Sequence, residues 1–141
     1  MTGLAIALVA VFDLLCLVHL YWAVGGRVGN LQALPERTDG TVLFRPGPAS
    51  TLVVAALLAT AGLLVAQRAG ILPGPFPPAL VRLGCWCVSG ALVLRAVGEF
   101  RYVGFFKKVR GTAFARMDTL FYSPLALVLG AGAGYVAFMA P

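Results

Sequence analysis

The sequence predicts an all-α protein: a bundle of four membrane-spanning helices with both termini outside and two cytoplasmic connections. Three observations carry this prediction. Apolar runs over residues 4–24, 50–69, 79–97 and 120–141 each approach or reach the roughly 20 residues that cross a ~30 Å hydrocarbon layer at ~1.5 Å per residue. The 141 residues are 60% hydrophobic and 11% charged, against about 25% charged in a soluble domain. Lys and Arg gather between the first and second runs and between the third and fourth. Spans over about residues 4–24, 50–69, 79–100 and 120–140 use nearly all of the chain and leave one integral membrane domain.

The first run carries Asp13 and His19. Ala23-Val24-Gly25 resembles a signal-peptide cleavage site, yet no Lys or Arg precedes the run and it is long enough to span, so it is expected to be retained. Gly25-Gly26 ends the helix, because glycine takes up a left-handed conformation there without steric cost. Ser50 is expected to cap the second helix, and Pro77-Pro78 lies where a third helix tolerates proline, at its start. Ser123-Pro124 leaves two readings open. Either Ser123 caps a helix beginning at Pro124, or the helix starts near Asp118 and kinks at the proline.

Small residues recur in the second and fourth runs, at Ala55, Ala56, Ala59 and Gly62 and through Gly130-Ala131-Gly132-Ala133-Gly134. They let helix backbones approach closely where no hydrophobic force drives association. Packing within the bundle and a homodimer face both fit this pattern. Cys16, Cys85 and Cys87 all fall within spans and form neither a C-x-x-C motif nor a disulfide framework. Positions 85 and 87 point about 200° apart on a helix, so no shared metal site is expected.

The net charge of +6 reflects the connections. The segment between the third and fourth spans holds Arg101, Lys107, Lys108, Arg110 and Arg116, and that between the first and second holds Arg27, Arg37 and Arg45. By the positive-inside rule both are cytoplasmic. Nucleic-acid binding is excluded, since no basic fold remains outside the spans. The aromatic and cationic stretch 101–110 suits the inner leaflet, with Arg101, Lys107, Lys108 and Arg110 meeting lipid head groups.

An ionisable side chain inside a span is costly and so points to function. His19 lies about 7 Å inside the cytoplasmic end of its span, and Arg95 sits at comparable depth with Glu99 one turn further on. Asp118 and Tyr122 open the fourth span at that level. His19, Trp22, Arg95, Glu99, Tyr102, Asp118 and Tyr122 are therefore the candidate ligand-binding residues. Arg95 can grip a carboxylate, phosphate or hydroxyl, or it can neutralise Glu99 across one turn. Buried ion pairs also lock helices without doing chemistry, and the aromatic residues also suit an interfacial belt. Asp13, near the middle of the first span, fits either a protonated carboxyl bonded to Thr60 or Ser89, or a carboxyl that carries protons in transport. Phosphate loops, zinc-ligand spacings and haem-binding cysteine pairs are absent, and no cofactor is expected.

Three stretches are familiar together: 19–26 (HLYWAVGG), 95–107 (RAVGEFRYVGFFK), and 114–119 leading to Tyr122-Ser123-Pro124-Leu125. They resemble a bacterial family of small four-span membrane proteins catalogued as a domain of unknown function. The resemblance covers almost the whole chain. It implies an inner-membrane location and a four-helix bundle, and it implies no activity. The functional expectation is binding of an amphipathic lipid, isoprenoid or quinone-like molecule beside Arg95, His19 and Glu99. If chemistry occurs there, His19 or Glu99 would be the acid or base. A proton-coupled transporter using Asp13, as a dimer, and an accessory subunit docked on another membrane protein are the alternatives.

Overall fold

The computed structural model describes residues 1–139. Among them four helices are long and apolar enough to cross a membrane: α1 (Thr2–Ala23), α2 (Pro48–Arg68), α3 (Pro78–Val97) and α4 (Ala113–Met139). The last positions of the expected fourth span, 140 and 141, lie outside the described residues.

Local chemistry explains each boundary. The amides of Gly25 and Gly26 return to the carbonyls of Trp22 and Tyr21 at 3.1 and 2.9 Å, closing α1. α2 begins at Pro48, whose missing N–H costs nothing in a first turn. Ser50 thus lies inside the helix rather than at its cap, and its hydroxyl donates back to the Gly47 carbonyl at 2.8 Å. Pro78 opens α3 in the same way. α3 stops at Val97, short of residue 100, because Gly98 turns the chain at φ +91°.

α4 settles the Ser123-Pro124 question in favour of the longer helix. It starts at Ala113, where the Thr112 hydroxyl accepts the Ala115 amide at 3.1 Å, and it continues through Pro124. A proline inside a helix lacks a donor and crowds the carbonyl four residues back. One wide π-turn over Asp118–Tyr122 precedes Ser123 and absorbs that defect.

α1 packs along α2 and α3 along α4, with smaller contacts joining the two pairs. The core fills the half of the bundle that holds the chain termini, where Phe12, Val65, Val81, Cys85, Ala133 and Val136 are buried. Close approach there depends on the glycine run. A Cβ at Gly130 would stand 3.1 Å from the Ser89 carbonyl oxygen, and one at Gly134 would stand 2.8 Å from the Ser89 hydroxyl. Gly132 meets Leu8 of α1 on the other side. The small residues therefore serve helix contacts within this chain.

Gly130→Leu should wedge α3 away from α4 and lower stability by about 1–3 kcal/mol. Unfolding in detergent reads the loss, with Ala131→Leu on the exposed side of the same helix as the unaffected control.

Candidate functional site

A cavity of about 860 Å³ lies among all four helices at the end of the bundle where the 24–47 and 98–112 connections sit. Its walls are apolar: Leu15 and Val18 of α1, Leu58 of α2, Leu92 of α3, and Leu125 and Leu129 of α4. Toward the connections the lining turns polar, with His19, Trp22, Arg45, Ser50, Arg95 and Tyr122.

The first connection closes over this end as an ordered roof. It carries a short 3₁₀ turn, Leu31–Ala33, and a hairpin bridged between Glu36 and Val42. The hydroxyl and amide of Thr41 donate to Asp39 inside that hairpin and hold its carboxyl below the usual carboxylate range. Three bonds tie the connection down. The Trp22 indole N–H donates to the Val28 carbonyl at 2.8 Å, the Tyr122 hydroxyl donates to the Gln32 carbonyl at 3.3 Å, and the Phe114 amide reaches Glu36 at 3.5 Å. Leu34 and Pro35 are buried beneath it.

His19 is oriented by its own helix. Its Nδ1 lies 2.8 Å from the Leu15 carbonyl oxygen. A carbonyl only accepts, so Nδ1 donates, and in the neutral ring Nε2 is left as an acceptor. The edge of Trp22 packs at 5.1 Å between ring centroids.

Arg95 is held from behind the cavity by Asp118. One Asp118 oxygen accepts from Arg95 Nη2 at 2.7 Å. The other accepts from the Gly104 amide at 2.8 Å and from Lys107 Nζ at 2.9 Å. Asp118 and Lys107 are buried, at 0% and 1% exposure, whereas the Arg95 side chain is 35% exposed. Lys107 places all three of its N–H bonds, since it also donates to the Gly104 carbonyl at 2.9 Å and the Thr119 hydroxyl at 2.7 Å. Arg95 Nη1 is buried and has no hydrogen-bond partner among the described residues.

The 98–107 segment is built to deliver Lys107 and the Gly104 amide to that carboxylate. Gly98 and Gly104 both have positive φ, and a side chain on either would collide with the other's backbone region. The turn docks on the end of α3, where the Phe105 amide donates to the Ala96 carbonyl at 2.8 Å and satisfies an open helix terminus. Glu99 accepts from the amides of Tyr102 and Val103 and shapes the turn itself.

The structure thus brings His19, Trp22, Arg95 and Tyr122 to one cavity, with Asp118 directly behind Arg95. Glu99 and Tyr102 fall outside it. The helix ends before Glu99, so the one-turn pairing of Arg95 with Glu99 does not form, and Asp118 takes that place. Lys107 is corrected from the membrane surface to the interior, because Asp118 supplies its counter-charge. Arg101, Lys108 and Arg110 are exposed; Arg101 lies 5.3 Å over the Tyr102 ring, and Arg110 Nε donates to the Lys107 carbonyl at 3.1 Å.

Asp13 is exposed on the outside of the α1–α2 pair, 3.3 Å from where a Gly62 Cβ would stand. It lines neither this cavity nor the smaller one beside Gln67 and Pro78. Of the two bonding partners considered for it, Thr60 donates to the Ala56 carbonyl at 2.8 Å, and Ser89 packs against Gly130 and Gly134 of α4. Sequence reasoning did not find Arg45, Ser50, Thr51 and the roof residues. The depth argument applied to His19 and Arg95 would have reached Ser50 and Thr51 at the start of α2.

Asp118→Asn should destabilise the fold by about 3–5 kcal/mol, since it leaves two cations without their carboxylate. Adding Lys107→Met should recover part of that loss in detergent unfolding. Simple additivity of the two single effects would show that the pair does not act as a unit.

The model of a family described as a protein of unknown function, DUF3995, matches residues 12–133. No curated protein and no solved structure matches the chain. The family match spans the second half of α1, all of α2 and α3, both connections that meet at the cavity, and α4 as far as Ala133. The chain belongs to the DUF3995 family.

Proposed function

We propose that this is a multi-pass protein of the bacterial inner membrane that binds an amphipathic lipid, isoprenoid or quinone-like molecule in the cavity between its helix pairs. The observation that carries the reading is the cavity itself. Its volume of about 860 Å³ falls within the roughly 300–1,000 Å³ typical of ligand sites. Its leucine-rich walls suit a hydrocarbon tail, and its polar groups gather at one end only.

The positive-inside rule orients that end toward the cytoplasmic leaflet. Exposed Arg101, Lys108 and Arg110 beside Phe106 suit contact with phosphates and acyl chains at the same level. A ligand would then share the leaflet whose head groups these side chains meet. Apolar walls with polar groups gathered at one end support binding of an amphiphile.

Ala126 lines the cavity and is 7% exposed, so Ala126→Phe occupies ligand space from a helix face already packed. Native mass spectrometry after extraction in mild detergent should show an amphiphile retained by the wild type. The variant should retain about tenfold less while keeping the helical circular dichroism of the wild type in the same detergent. Wild-type protein that carries no amphiphile through extraction, or equal retention by both proteins, would overturn the proposal.

A further inference from the structure

We infer that the polar end of the cavity is an anion site, in which Arg95 and Arg45 receive a phosphate or carboxylate group. This rests on the reading of the cavity as an amphiphile site and narrows the ligand to one bearing a negative head.

The charge balance points there. Two cationic groups, half-buried Arg95 and buried Lys107, share the single carboxylate of Asp118, so the cluster keeps one positive charge. Arg45 adds another on the cavity lining, and no Asp or Glu lines the cavity. The acidic groups nearby are already engaged: Asp118 accepts from three donors, and Glu36 faces the Phe114 amide. An uncompensated cation in a low-dielectric setting is costly, and an anion brought by a ligand removes that cost.

Donor geometry agrees with the charge. Asp118 engages Nη2 of Arg95, while Nη1 is buried without a partner among the described residues. A planar guanidinium fixed on one side presents its remaining N–H groups in a set direction, as oxyanion recognition requires. Asp118 and the Lys107 turn therefore act as the support that aims Arg95. His19 on α1 lines the same cavity, with Nδ1 held by the Leu15 carbonyl. A neutral quinone or alcohol head would leave the excess charge unanswered.

The test uses the full-length protein in phosphatidylcholine nanodiscs, with farnesyl phosphate, farnesol and inorganic phosphate as probes. Farnesyl phosphate should bind about tenfold or more tightly than farnesol. Arg95→Gln should remove that preference. Arg45→Gln, at an exposed position on the cavity rim where folding is not at stake, should reduce it several-fold. Equal binding of farnesol and farnesyl phosphate, or an unchanged preference in Arg45→Gln, would overturn the anion site while leaving an amphiphile site standing. Inorganic phosphate that binds as well as farnesyl phosphate would support the anion site with a free anion as its source, and the amphiphile reading would fail. Binding of none of the three probes would overturn both.

Discussion

One buried carboxylate organises the connection end of this protein. Asp118 draws Arg95 from α3, Lys107 from the third connection and the Gly104 amide from the tight turn onto a single group. Two of these partners come from one turn, and the third comes from the helix that precedes it. Removing one member of a buried charged set costs far more than the set contributes when whole. The glycines at 98 and 104, the acceptor role of Glu99 and the hydroxyl of Thr119 all follow from the need to bring Lys107 to that carboxylate.

The bundle divides into a half that is closed and a half that is open. Small residues at Gly130, Gly132 and Gly134 bring α4 against α3 and α1 near the chain termini, and the core fills there. Toward the connections the facing residues include Ala126, Leu125, Leu58 and Val18, and they bound a cavity instead of a core. The roof from the first connection hangs on Trp22 and Tyr122, two residues that also line the space beneath it. Those side chains both hold the roof and line the cavity. Asp118 and Lys107 lock helices; Arg95 and His19 face the cavity.

How far the sequence could be read depended on whether a feature is local. Run length and apolar content specify the four helices, because spanning a bilayer constrains each segment alone. Counting residues along each span puts His19, Trp22, Arg95 and Tyr122 at one depth, and the cavity contains all four. Glu99 was misplaced because its pairing with Arg95 assumes a helix that Gly98 ends. Lys107 sits in an aromatic and basic stretch that reads as surface, and its burial depends on a turn closed by contact between two glycines six residues apart. The roof has no periodicity to read, and its place is set by bonds from residues as distant as Phe114 and Tyr122. Ser123-Pro124 stayed open because a π-turn relieves the proline, and that relief leaves no mark in the residue pattern.

A ligand lodged between four helices, with its head against a positively charged end, is visible directly in an experimental map. Cryo-electron microscopy of the protein extracted with its native lipids into nanodiscs, without detergent exchange, tests the central claim most closely. Elongated non-protein density along Leu58 and Leu129, ending within hydrogen-bond reach of Arg95 Nη1, is the expected result. A cavity collapsed by inward movement of the roof, with Arg95 turned to bulk water and no density between it and His19, would contradict it.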